Sequence, residues 1–162
     1  MKAFFVAALA ALTSAQINSG FNGTGNIYIV HTSQDWPWGP DSPASLTVGC
    51  LNGDGKLVAQ GPSSCGTFVA KSGSIYSSKT GNQCGGTPRT GGEGAQPNVF
   101  NCQANVYTTV YRAIGNEDKP DYLSYGAGYL GWTADGPGQS SPADIYSLGW
   151  TYYKVLLWFK KF

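Results

Sequence analysis

The feature that most constrains the fold is the regular spacing of turn residues between Leu46 and Gly86. Four short segments of apolar and β-branched residues alternate there with turn sequences; they cover 46–51, 56–60, 65–70 and 74–78. The turn 52–55 contains both Asn-Gly and Asp-Gly, which favour type I′ hairpins because both central residues need positive φ. Apolar residues do not recur there with the period of a helix. The pattern predicts an all-β fold, a single-domain antiparallel sandwich or barrel.

The N-terminus has the three parts of a secretory signal peptide. A basic residue, Lys2, precedes the apolar run 3–12, and the small residues of Thr13-Ser14-Ala15 follow. The apolar run is too short to cross a bilayer. We therefore expect residues 1–15 to be a signal peptide, residues 16–147 to form one secreted β-domain, and the protein to be extracellular.

Four cysteines in a secreted chain predict two disulfides, formed by Cys50, Cys65, Cys84 and Cys102. Sequence alone allows three pairings. We favour the nested one, in which Cys65 pairs with Cys84 across a hairpin and Cys50 pairs with Cys102. A zinc site is disfavoured because no two cysteines are close in sequence and the chain has one histidine, so no metal or cofactor is expected.

Further strands are predicted at Asn26–Thr32, Asn98–Gln103 and Asn105–Ile114, and one or two within Tyr122–Trp132. The segments between them are rich in glycine, proline, serine or asparagine and predict loops or a loose arm; they are 18–25, 85–97 and 133–143. Within the first of these, Asn22-Gly23-Thr24 is an N-glycosylation acceptor triplet, so Asn22 is a candidate for a glycan.

The charge balance disfavours nucleic-acid binding. Without Lys2 the chain has nine basic and nine acidic residues, so it has no net charge with which to attract a polyanion.

The last fifteen residues, 148–162, form an aromatic and basic tail. Six of the final thirteen residues are aromatic and three are lysine. Such a segment can be a closing strand, an interfacial membrane anchor, or the translated product of a wrongly assigned splice site. The anchor alternative corresponds to a membrane-active toxin; otherwise no membrane contact is expected.

Aromatic side chains in loop-like sequence are the candidate ligand-binding residues. Trp36 and Trp38 lie among prolines and beside Asp35 and Asp41. Flat rings can stack on the apolar face of a sugar while carboxylates accept its hydroxyl protons. The alternative is that both indoles fold back over the end of the domain. We add Tyr125 and Trp132 to the candidate site.

Catalytic patterns are weak. His31 is the one histidine, and a G-x-S-x-G motif is absent. A ribonuclease could combine His31 with Glu93 or Glu117 and with Arg112. A glycosidase would need two paired carboxylates, and no pair of acids stands out.

The hairpin sequence also carries a family resemblance. Residues 52–56 and the pattern Thr67-Phe68-x-x-x-x-Gly73-x-x-Tyr76 resemble small secreted proteins of filamentous fungi, which include cell-wall proteins of the phialide type, IgE-binding proteins and effector-like proteins. The resemblance implies life at a fungal surface or a host interface, and no catalytic residues. We therefore expect a monomeric, non-enzymatic cell-wall or host-interaction protein, with polysaccharide or a host protein as its partner; the alternative is a small secreted hydrolase.

Overall fold

The computed structural model describes residues 22–31, 40–59, 64–87, 99–106, 108–112, 120–125, 132–134, 142–147 and 154–162. Apart from one 3-10 helix at Pro43–Leu46, the regular elements of these residues are strands. In chain order the strands are β1 (Gly23–His31), β2 (Thr47–Leu51), β3 (Leu57–Val58), β4 (Phe68–Lys71), β5 (Ser74–Ser77), β6 (Cys84–Thr87), β7 (Val99–Cys102), β8 (Thr108–Arg112), β9 (Asp121–Tyr125), β10 (Trp132–Ala134), β11 (Ile145–Ser147) and β12 (Lys154–Lys161).

Antiparallel pairing joins all the strands just named into one sheet, in the order β10-β11-β7-β6-β8-β9-β12-β1-β2-β3. The sheet closes on itself because β10 also pairs with β12. On the far edge of β1, β2 pairs with one half and β4 with the other, and β5 continues from β4. The predicted all-β antiparallel fold with two disulfides is confirmed.

Strand β12 lies at the centre of this sheet. It pairs with β1 over seven residues, from Val155 opposite His31 to Lys161 opposite Gly25. Its other edge pairs with β9 and β10. Val155, Leu157 and Phe159 face the main core, and the alternate residues face the opposite side of the sheet. The apolar run of the tail is therefore a strand, 154–161, in which Val155, Leu156, Leu157 and Phe159 are buried and the lysines at both ends are exposed; residues 148–153 lie outside the described residues.

The hairpins of the central region follow the sequence pattern, since β2, β3 and β5 fall within predicted segments and β4 extends one residue, Lys71, beyond the segment 65–70. The type I′ turn, however, is between β4 and β5, where Ser72 and Gly73 have φ of 50° and 78°. In the turn 52–55 only Gly55 has positive φ, 85°. The side chain of Asn52 forms that turn instead, because its Oδ1 accepts the backbone N–H groups of Asp54 and Lys56, both at 3.0 Å.

Three loop predictions are wrong in part, because glycine-rich segments take part in the sheet. Gly85 and Gly86 belong to β6 and are buried between β7 and β8. The end of the predicted arm 18–25 forms the first residues of β1, Gly23–Gly25, which pair with β4. The predicted loop 133–143 contains the end of β10, which pairs with β11. Glycine has a low strand propensity, so a propensity pattern assigns such segments to loops.

The nested disulfide pairing is also wrong. The bonds are Cys50–Cys65 and Cys84–Cys102. Strand β6 places Cys84 directly opposite Cys102 of β7, with their Cα atoms 4.0 Å apart. Cys65 lies beside β2 because the backbone N–H of Gly66 donates to the carbonyl oxygen of Leu51 at 2.7 Å. Each bond thus links chain segments that neighbouring hydrogen bonds already hold together.

Candidate functional site

Of the four aromatic residues predicted to bind a ligand, Trp132 is the one whose side chain the structure describes. Its side chain is 0% exposed and belongs to the main core. The indole Nε1 donates to the carbonyl oxygen of Leu123 at 3.0 Å, and the ring packs edge-on against Phe100. Trp132 therefore offers no surface to a ligand, and its assignment as a binding residue is wrong. The physical reason is its place in β10, where one face points into the core.

The side chains of the other three candidates lie outside the described part of the structure. Trp36 and Trp38 lie outside the described residues, and Tyr125 ends β9 with its side chain outside the description. The residues of the proposed hydrolase set are described only in part. His31 ends β1 and is partly exposed, but the side chain of Arg112 is not described and Glu93 and Glu117 fall outside the described ranges.

Asn22 is exposed and directly precedes β1. Its Oδ1 accepts the backbone N–H of Ser72 at 3.4 Å, which places it beside the β4–β5 turn. Glycosylation of this asparagine stays a prediction.

A row of four side chains crosses the face of the sheet opposite the main core. Pairing aligns Cys50 of β2, Tyr28 of β1, Trp158 of β12 and Tyr122 of β9. Directly opposite residues in antiparallel strands point to the same face, so these side chains are neighbours. We call this side of β2, β1, β12 and β9 the outer face.

One end of the outer face is covered by the segment 40–46. The hydroxyl of Tyr122 donates to the carbonyl oxygen of Pro40 at 2.7 Å, in a buried hydrogen bond. Val30 and Leu156 are buried beside Tyr122, and the 3-10 helix contacts β1. Burial and, to a smaller degree, the negative charge of Asp41 raise the pKa of Tyr122 well above its ordinary value. At this end the outer face is a second small core.

The other end of the outer face is open. Tyr28 and Trp158 are both partly exposed, with ring centroids 5.4 Å apart and planes inclined by 37°. The ammonium of Lys160 lies 5.6 Å from the ring of Trp158 and 6.0 Å from that of Tyr28. These distances are those of cation–π contacts. We call Tyr28, Trp158 and Lys160 the aromatic platform.

Lys160 differs from three other lysines in its ion pairing. Lys56 pairs with Asp144, Lys79 with Asp54, and Lys161 with Asp121. Within the described ranges no carboxylate lies within ion-pair distance of Lys160, which is exposed. The platform therefore combines two apolar ring surfaces with one cation that faces solvent.

Sequence reasoning missed this platform because its parts lie at opposite ends of the chain. Tyr28 belongs to the first predicted strand and Trp158 to the tail, whose structure the sequence left open. Only the register of β1 with β12 makes them neighbours. The available signal was the strand pattern in both segments, which would have placed the two aromatic residues on sheet faces.

The described residues contain no group of three or more His, Cys, Asp or Glu side chains arranged to hold a metal ion. They also include no helix with the length and apolarity needed to span a membrane. Comparisons of the chain with protein-family models, curated proteins and solved structures gave no significant match.

Proposed function

We propose that the chain is a secreted, non-enzymatic β-domain that binds polysaccharide, at a fungal cell wall or at the surface of a host. The aromatic platform is the observation that carries this proposal. The signal-peptide pattern, the two disulfides and the resemblance of the hairpin 65–76 to small secreted fungal proteins support an extracellular setting.

The platform has the chemistry needed to hold a sugar ring. The axial C–H groups of a pyranose form an apolar face that packs on aromatic rings, as other apolar groups do. The rings of Tyr28 and Trp158 stand side by side on adjacent strands, so together they offer more area than one ring. Tyr28 also has a hydroxyl group that can bond to a sugar hydroxyl.

The two strands that carry the platform, and the side chain of Trp158, are packed against buried residues before any ligand arrives. Trp158 packs against the buried cluster of Val30, Tyr122 and Leu156. Beneath the sheet, Ile27, Ile29, Leu157 and Phe159 of the same two strands are buried in the main core. Binding would therefore require little ordering of Trp158 and of the strands beneath the rings, which favours affinity.

The test is retention of the purified protein on insoluble chitin, β-glucan and cellulose. We expect retention on at least one polymer, and we expect Tyr28→Ala to weaken it by roughly three- to tenfold, the loss of one aromatic contact. Tyr76→Ala is the matched control, because Tyr76 is a partly exposed tyrosine of β5, outside the platform.

Failure of the wild-type protein to bind any polymer would reject polysaccharide binding and direct attention to a host protein as the partner. Equal weakening by Tyr28→Ala and Tyr76→Ala would reject the platform as the site. Thermal unfolding of each variant, measured in parallel, separates loss of a contact from loss of the fold.

A further inference from the structure

We infer that the platform prefers an acidic polysaccharide, with the sugar ring stacked on Tyr28 and Trp158 and its carboxylate paired with Lys160. This inference rests on the proposed function, since it names the class of polysaccharide that the same site would bind.

The position of Lys160 is the first argument. Lys160 follows Trp158 by two residues on β12, so both side chains point to the outer face, whereas Lys161 points to the opposite one. The ammonium lies over both rings, and its remaining N–H groups are open to solvent because the side chain is exposed. A sugar that stacks on these rings beside the ammonium would bring its carboxylate next to this cation.

The second argument is the lack of a competing anion. Lys56, Lys79 and Lys161 each have an aspartate partner. Lys160 has none among the residues that the structure describes, so an incoming carboxylate would not have to displace one. Without residues 1–15 the chain has no net charge, so attraction of an acidic polymer would come from this local cation rather than from the whole molecule.

Asn26 adds a polar group at the edge of the platform. It lies directly opposite Lys160 in the β1–β12 pairing and therefore on the outer face. Its Nδ2 donates to the carbonyl oxygen of Gly66 at 2.9 Å, which fixes the amide. Its Oδ1 can accept a sugar hydroxyl proton. Ring, carboxylate and hydroxyl thus each have a matching protein group within one small area.

The experiment compares binding of polygalacturonate with binding of its fully methyl-esterified form, which has the same backbone without the charge. We expect the wild-type protein to bind the acidic form about fivefold more tightly, the upper range for one exposed ion pair. We expect Lys160→Gln to abolish this preference and Lys160→Arg to keep it. Lys71→Gln removes an exposed lysine of β4, outside the platform, and should change nothing.

Equal affinity for the two forms, or a preference that survives in Lys160→Gln, would overturn the inference. If the protein binds the esterified polymer or a neutral glucan but gains nothing from the carboxylate, the inference fails and the proposed function stands. If it binds no polysaccharide, acidic or neutral, both fail. Increasing salt should reduce the preference for the acidic form and leave binding of the esterified form unchanged.

Discussion

At the scale of single residues, Tyr122 has the most clearly defined role. Its ring is buried under the segment 40–46. Its hydroxyl donates a hydrogen bond to the backbone carbonyl oxygen of Pro40, which is far away in sequence. Only the neutral phenol can donate this bond, because a phenolate has no proton to donate. Burial of the ring and the charge of Asp41 both disfavour the phenolate, which is why the pKa is raised.

We predict that Tyr122→Phe lowers the free energy of unfolding at neutral pH by about 1 kcal/mol, the value of one hydrogen bond. The pH dependence follows from the raised pKa. The folded state favours the protonated phenol, so its contribution is complete below the unfolded pKa of about 10 and is lost as pH rises from there towards the folded value. The difference between wild type and Tyr122→Phe should therefore shrink above about pH 10.

Urea denaturation between neutral pH and about pH 11 measures this. Tyr76→Phe is the control, since Tyr76 is partly exposed. If the curves of wild type and Tyr122→Phe run parallel through the alkaline range, Tyr122 does not titrate with a raised pKa in the folded protein.

The identity of a residue indicates what its side chain can do more reliably than where the side chain lies in the fold. The sequence marks Trp132 as an aromatic residue that can stack, and the structure places it in the core. Burial depends on which face of a strand a residue occupies, and the one or two strands predicted within Tyr122–Trp132 did not show which face Trp132 takes. Trp158 was open to several interpretations for the opposite reason, since a run of apolar residues has no alternation to show its two faces.

At the scale of elements, the disulfide pairing can be checked directly. Trypsin cuts after lysine and arginine, and its sites place each cysteine in a separate peptide; these peptides are the one ending at Lys56, and 57–71, 80–89 and 90–112. We predict that, after digestion without reduction, peptide 57–71 stays joined to the peptide ending at Lys56 through Cys50–Cys65. Peptide 80–89 should likewise stay joined to 90–112 through Cys84–Cys102. Mass spectrometry identifies the linked pairs by their masses.

A linked pair of 57–71 and 80–89 would instead show the nested arrangement and contradict the structure around β6. A reduced sample of the same digest provides the control, because it should give all four peptides separately.

The elements that the sequence predicts well are those with local signals. Strands β2 and β3, and likewise β4 and β5, are separated by short turns that asparagine and glycine mark clearly. Strand β6 has no such signal, since Gly85 and Gly86 lie between neighbouring strands and take their structure from the pairing with β7 and β8. The error in β6 led to the error in the disulfides, because without that strand nothing indicated that Cys84 faces Cys102.

At the scale of the whole molecule, β12 joins the parts of the sheet. It contacts β1 on one edge and β9 and β10 on the other. Through β1 it is connected to β2–β5, and through β9 and β10 to the remaining strands. Its side chains also contribute to both clusters of buried residues. The stability of the domain and the geometry of the platform therefore depend on the same strand.

We predict that deletion of residues 148–162 prevents folding. The deletion removes Val155, Leu156, Leu157 and Phe159 from the buried clusters, each of which contributes about 1.5–3 kcal/mol by burial. It also exposes the inner edges of β1 and β9. The combined loss is comparable to the whole stability of a typical domain, about 5–15 kcal/mol. The deleted form should accumulate poorly on secretion and show no cooperative urea transition.

Phe162→Ala is the matched control for this deletion, because the Phe162 side chain is 80% exposed and the variant keeps the backbone N–H that donates to Thr24. We expect it to unfold with the wild-type midpoint and to bind as the wild type does. A cooperative transition of wild-type midpoint in the deleted form would show that β12 is dispensable. Strands β1 and β9 would then have to pair in some other way, and the platform formed by Tyr28, Trp158 and Lys160 would have no structural basis.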